Sequence, residues 1–361
     1  MKPYRAILVG TGGWGGSWCH DFLPPNVADG LVEVVAAADR DPAALENART
    51  ALHLPDERLF SSAKAAMDAH EADFCIVVTQ PVTHEEVVDE ALAHGLHILC
   101  EKPIADTLEA STRIAAKVKR AGVKMAVTMS HRFDRDKTTL RRVIREPASG
   151  PLDYLVCRFT CDCRRYGSWG RFRQEMDDPL MIEGAVHHLD ILADMAGGLC
   201  DTIYAQTWRP DWAEYQGDCQ GLVTMHMTNG VRAHYEGAKS NAVGLNGWTT
   251  EYIRAECRNA TLILDRRELV RYAYDAGREW STAAPERAER IDMIDQAKWA
   301  NAWLVEQFVE WLDGGPPMET NVEANLQSVA LVFGAIQSAR TGRAVAVQEM
   351  LGSAVERAQE V

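Results

Sequence analysis

Glu183, His187 and Asp190 recur at i, i+4 and i+7 in a stretch that reads as one helix from Met181 to Met195, closed by Gly197 and Gly198. The spacing puts them on one face, opposite Ile182, Val186, Leu189, Leu192 and Met195. An imidazole with a carboxylate one turn to either side is equipped to accept a proton. The same stripe also suits a helix face that is simply solvated. Glu-x-x-x-His is half of a metal site, but no third ligand is evident and no metal is expected. Lys102, in Glu101-Lys102-Pro103, directly follows the apolar run 97–100, and an ammonium at a strand end can hold an alkoxide or polarise a carbonyl. The loop from Cys163 to Pro179 carries Arg164, Arg165, Tyr166, Trp169, Arg171 and Arg173. Guanidiniums among aromatics suit a polyhydroxylated or anionic small molecule, and equally an interface between copies of the chain.

Such groups need a scaffold, and its centre is Gly10-x-Gly12-x-x-Gly15 immediately after the apolar run Ala6 to Val9. This is the dinucleotide fingerprint in its strand-to-helix context: one glycine for the turn, one for close approach of backbone to a diphosphate, one for a helix lying close on the strand. The diphosphate would meet the amides and dipole at the helix start. The next strand, 32–38, ends in Asp39, placed to receive adenosine ribose hydroxyls and to repel a 2′-phosphate, which argues for NAD. Arg40 beside it can stack on adenine or pair with that phosphate, so NADP stays open.

With 361 residues and near-average apolar and charged fractions, the chain has room for two domains. A net charge of −14 argues against nucleic-acid or anionic-membrane partners. There is no apolar leader or membrane-length run, and the cytoplasm is the expected location. Nine scattered cysteines read as reduced thiols, and Cys157, Cys161 and Cys163 lack zinc spacing.

Apolar runs at 73–78, 97–100 and 124–128 alternate with helical stretches at 42–52, 85–94 and 107–121, which predicts a doubly wound parallel sheet. From residue 152 longer strands follow one another (154–161, 202–208, 221–227, 231–237), with Asn229-Gly230 marking a hairpin. The expected fold class is therefore α/β, a Rossmann domain over 1–130, followed by an α+β domain over 131–361 built on a large, mostly antiparallel open sheet. A helix near Phe133 bridges the two, others follow at 295–313 and 321–340, and the last is expected to return to the first domain.

Taken together, the glycine turn, Asp39, the turn Thr79 to His84, Glu101-Lys102-Pro103, Glu183-x-x-x-His187-x-x-Asp190 and Ser338 to Arg343 resemble the glucose-fructose oxidoreductase, inositol dehydrogenase and MocA-type family, over nearly the whole chain. The resemblance implies an NAD(P)-dependent oxidoreductase moving a hydride between nicotinamide and a secondary alcohol of a sugar, polyol or inositol-like substrate. It implies catalysis by Lys102, His187 and Glu183, with His187 taking the hydroxyl proton. The implied cofactor set is Gly10, Gly12, Gly13, Trp14, Gly15, Asp39 and Arg40, then Thr79, Gln80, Pro81 and His84, then Glu101 and Lys102. Substrate is expected on Lys102, Arg132, Tyr166, Trp169, His187, His188 and Asp190. Two departures stand out: Glu183 occupies a position where many members carry Asp, and Gln80 separates Thr79 from Pro81. A homodimer or homotetramer through the open sheet is implied. The alternative is a relative that oxidises a sugar transiently to cleave a glycosidic bond, with no net redox change.

Overall fold

The computed structural model describes residues 2–165 and 170–360, so Tyr166 and Trp169 lie outside the described residues. Six parallel strands form the first sheet: β1 (Tyr4–Val9), β2 (Val32–Ala38), β3 (Leu59–Phe60), β4 (Phe74–Val77), β5 (His97–Cys100) and β6 (Met125–Val127). Their order is β3-β2-β1-β4-β5-β6, so the direction of winding reverses between β1 and β4. A crevice for a ligand opens at such a reversal, beyond the carboxyl ends of the strands. These strands are short apolar runs buried on both faces, as parallel pairing between helical layers requires. Helical segments α1 (Trp14–Ser17) and α2 (Leu23–Ala28), joined through a wider helical turn at Trp18–Phe22, follow the glycines. Then come α3 (Leu45–Ala51), α4 (Ala63–Ala69), α5 (His84–Ala93) and α6 (Leu108–Ala121). Thr107 caps α6 by accepting from Ala110 N–H, and Gly122 ends it in the left-handed conformation.

Helix α7 (Arg135–Ile144) leads to the second sheet. Its nine strands are β7 (Leu152–Thr160), β8 (Cys200–Trp208), β9 (Gln220–Met227), β10 (Arg232–Ala238), β11 (Tyr252–Cys257), β12 (Ala260–Asp265), β13 (Glu268–Ala273), β14 (Glu289–Ile291) and β15 (Val345–Ala346). They lie in the order β14-β13-β12-β11-β7-β10-β9-β8-β15. All pairs are antiparallel except β7 with β10. Asn229-Gly230 turns β9 into β10, with Gly230 at φ 90°. Between β7 and β8 come α8 (Phe172–Glu175) and α9 (Val186–Ala196), and after β14 come α10 (Ala300–Leu312), α11 (Val322–Thr341) and α12 (Val347–Gln359). α9 and α11 cover one face of this sheet. The other face carries exposed Tyr204, Trp208 and Leu222.

Two late helices tie the halves together. α11 runs against β8 and α9 and also against α6 and β6, where Val127 N–H donates to Thr320 O at 2.9 Å. α10 lies on the first sheet, with Leu304, Val305 and Phe308 in one core with Leu8, Phe74 and Trp18, and the Phe74 and Phe308 rings 5.4 Å apart. All nine cysteines are free thiols, and no described helix is long and apolar enough to cross a membrane.

Candidate active site

A cleft of about 1100 Å³ runs from the glycine turn, across the ends of the first-sheet strands, to α9 and the β10–β11 connection. Its first end is built by close approach. Gly10 sits at φ 94°, and a Cβ there would lie 2.4 Å from Val78 O; a Cβ on Gly15 would lie 2.3 Å from Gly10 O. Strand, turn and helix are thus packed to a distance no side chain permits. Gly10, Gly12, Gly13 and Trp14 form the wall, whereas Gly15 stands behind it. Asp39 ties the turn to the end of β2: its Oδ2 accepts from Thr11 N–H at 2.7 Å and Gly12 N–H at 3.1 Å, and its Oδ1 from Asp41 N–H at 2.9 Å. Arg40 lines the same end, with its guanidinium 3.2 Å from Glu86. Ser61, Ser62 and Lys64 complete that wall.

Thr79, Gln80 and Pro81 line the middle. His84, expected among them, is instead fully buried, its ring facing Thr79 O at 3.0 Å and Pro103 O at 3.1 Å. It is a strut that joins this turn to the segment after Lys102. Glu101 anchors the glycine helix: its Oε1 accepts from Trp14 Nε1 at 2.7 Å, Trp18 Nε1 at 2.9 Å and Asn301 Nδ2 at 3.1 Å.

At the far end, Lys102 and Glu183 meet across the domain boundary. The Lys102 ammonium donates to Glu183 O at 3.3 Å and lies 3.9 Å from its Oε2, which Arg173 Nε approaches to 2.7 Å. Burial alone would raise the Glu183 carboxyl, but Lys102, Arg173 and Lys239 outweigh it and bring it down to about 2. Here the helix departs from the regular spacing: Leu180–Ala185 forms a wider turn, with Val186 N–H reaching back five residues to Met181 O. Inserted turns of this kind re-aim side chains and recur at functional sites. Glu183 and His187 therefore face the cleft rather than bulk solvent, and are 8% and 5% exposed.

Three expected substrate contacts do not reach this wall. His188 is fully buried, packed against Phe159, Tyr235 and Trp248, with Nδ1 facing Tyr235 Oη at 3.1 Å. As the immediate neighbour of His187 on the helix it points elsewhere. Arg132 and Asp190 take each other, through two Arg132 nitrogens on the two carboxylate oxygens, and Ser328 Oγ donates to Asp190 as well. That bidentate pair fastens the turn after β6 to α9 and α11; both partners lie behind the cleft. Conversely, the cleft holds His131, Lys239 and Trp248, none of which the sequence singled out.

Two family descriptions match the chain: the NAD-binding Rossmann fold of an oxidoreductase family over residues 4–129, and that family's C-terminal alpha/beta domain over 153–347. The chain belongs to the GFO/IDH/MocA oxidoreductase family. A Sinorhizobium fredii relative described only as the uncharacterized protein y4oX is 51% identical over 97% of both chains. The D-apiose dehydrogenase of Paraburkholderia graminis is 25% identical over 97% of this chain and 91% of its own. Among solved structures, an Agrobacterium radiobacter oxidoreductase in complex with NAD+, L-tartaric acid and magnesium superposes with a TM-score of 0.82 at 21% identity, covering 96% of this chain and 99% of that one, a likeness of fold. NAD is the family's cofactor, and the cradle fits it: side-chain-free Gly12 and Gly13 stand where a diphosphate needs bare backbone, between Asp39 and the mouth at Lys102.

Proposed function

We propose that this protein is an NAD-dependent dehydrogenase acting on a secondary hydroxyl of a sugar, polyol or related small molecule. The observation that carries the reading is that Lys102 from the first domain and His187 from the second share the wall of one cleft whose other end is the glycine turn. Bound NAD supplies the hydride acceptor at that site. The chain's own work is to hold the carbinol in place: Lys102 donates to the oxygen as negative charge develops, and His187 hydrogen-bonds the same hydroxyl. Glu183, shared between Arg173 and Lys102, keeps the ammonium aimed. The bare backbone of the turn supports NAD, and the Asp39 carboxylate beside it supports NAD over NADP.

The test is to purify the protein, measure NAD(H) content, and follow reduced-cofactor absorbance with a panel of sugars, inositols and sugar acids, using NAD and NADP in turn. Net reduction of NAD by one substrate class is expected. Retained NAD with no net reduction, together with cleavage of a glycoside, would overturn the reading.

A further inference from the structure

The substrate end of the cleft carries more positive charge than its own carboxylates neutralise. Lys102, Arg173 and Lys239 line it, and Glu183 is turned toward all three. Glu101 lines the cleft as well, but its Oε1 is taken by the indoles of Trp14 and Trp18 and by Asn301, and its Oε2 accepts from Lys102 N–H at 3.2 Å. Behind the wall the charges are settled separately: Glu251 holds the Lys137 ammonium at 2.6 Å, and Lys137 also meets Asp136 at 3.2 Å. Setting both lining carboxylates against the three cations leaves a single positive charge uncompensated. The pyridinium of oxidised NAD would add to this excess rather than reduce it.

The three cations are not equivalent. Arg173 places Nε 2.7 Å from Glu183 and lays its guanidinium over the Phe172 ring at 4.4 Å. Lys102 lies 3.9 Å from the same carboxylate and serves the reacting oxygen. Lys239, directly after β10, is 3% exposed; its ammonium donates to Pro179 O at 3.4 Å and sits 5.1 Å from the centre of the Tyr215 ring. Among the described residues it makes no ion pair. Burial pulls its proton affinity below that of an ordinary lysine, against the attraction of Glu183. An ammonium has three hydrogens to donate, and one carbonyl and a ring face are poor compensation for its lost water. A buried cation that opens on a substrate cleft in this state is where an anionic group gains most.

We propose that the substrate is a sugar acid, an aldonate or uronate, whose carboxylate pairs with Lys239 while a secondary hydroxyl of the same molecule meets Lys102 and His187. This rests on the dehydrogenase reading and narrows its substrate class. Lys102 and Lys239 both act on the one Glu183 carboxyl, so a hydroxyl at the first and a carboxylate at the second belong to a single small molecule. A carboxylate brings one negative charge and matches the excess; a phosphate monoester brings about 1.5 to 2 and would overshoot it. Because Lys239 meets a part of the substrate that does not react, its contribution is to binding, with ground state and transition state served alike.

The experiment uses the full-length protein with NAD at fixed ionic strength and offers neutral hexoses and inositols, the corresponding aldonates and uronates, and hexose phosphates. The best acid should exceed its neutral counterpart in kcat/KM by ~10² or more. In Lys239→Met that preference should fall to within about tenfold, with the loss in KM more than in kcat, and Lys239→Arg should keep more of it than Lys239→Met. Melting temperature and NAD affinity report whether each variant is folded, and Lys239→Gln stands in should Lys239→Met fail to fold. A neutral sugar or polyol oxidised as well as its acid, a preference undiminished without Lys239, or a phosphate favoured over the carboxylate would each overturn the proposal. Protein that binds NAD but oxidises nothing in the panel would overturn the dehydrogenase reading instead. Calorimetric titration of the NAD-loaded protein then decides the subsite by itself, since an acid bound no more tightly than its neutral counterpart refutes it.

Discussion

Replacing Lys102 with methionine removes one ammonium and little volume. In the folded protein that ammonium donates to Glu183 O at 3.3 Å and faces the Glu183 carboxylate at 3.9 Å. At that distance the attraction is ~4 kcal/mol for an effective dielectric of about 20, and the desolvation of the ammonium cancels much of it. Glu183 keeps its 2.7 Å contact with Arg173, so no carboxylate is stranded and Lys102→Met should melt within a few degrees of the wild type. The chemistry should suffer far more. A donor aimed at a developing oxyanion contributes about 10²–10³ in kcat, or ~3–4 kcal/mol of barrier, in a site shielded from water. The assay is reduced-cofactor absorbance under saturating NAD, with NAD affinity titrated separately and expected to change by less than about tenfold, ~1.4 kcal/mol. If the purified variant turns over within about tenfold of the wild type, the ammonium is not meeting developing charge, and the assignment of Lys102 fails.

Gly15→Ala places a methyl 2.3 Å from Gly10 O, so the turn and the helix must separate; NAD affinity should fall at least about tenfold, and calorimetric titration will show whether it does. Lys137→Met leaves Glu251 and Asp136 buried without their cation and should cost ~3–5 kcal/mol, read as a clear loss of denaturant midpoint; an unchanged midpoint would mean the cluster rearranges freely. Glu183 has an ordinary value of 4.5 and a folded value of about 2, so its contribution to stability is complete above pH 4.5 and is lost as pH falls through about 2. Because each tenfold change in proton affinity is worth ~1.4 kcal/mol, this lowering amounts to a few kcal/mol on the acid limb of an unfolding curve, and Glu183→Gln should flatten that limb.

The first sheet was legible because each of its main strands is a continuous apolar run closed by a turn signal, which few other environments tolerate. The glycine turn and Asp39 were legible through spacing. Strands β11 to β13 were harder to see: in β11 Arg254 and Glu256 alternate with buried Ile253 and Ala255, in β13 only Leu269 is buried, and such short, charged, half-covered strands resemble loops in composition. At the site, sequence period placed Glu183 and His187 together but could not foresee the wider turn at Leu180–Ala185, which a regular helical period does not contain. His188 and Asp190 share that helix, yet only side-chain direction decides that they turn to Tyr235 and to Arg132. His131, Lys239 and Glu251 lie on separate elements, and no local pattern connects residues that only the folded chain brings together.

The placement of α10 has a consequence for anyone who would treat the nucleotide-binding half as a transferable module. Its helix covers Phe74 with Phe308, and its Asn301 donates to the same Glu101 oxygen that holds Trp14 and Trp18. A fragment ending near residue 130 would expose this apolar face and lose one of the three donors that fix the glycine helix. A ribosome must likewise release residues beyond 300 before the cofactor cradle can take its final shape, so grafts and chimaeras should carry 300–312 along with the first sheet.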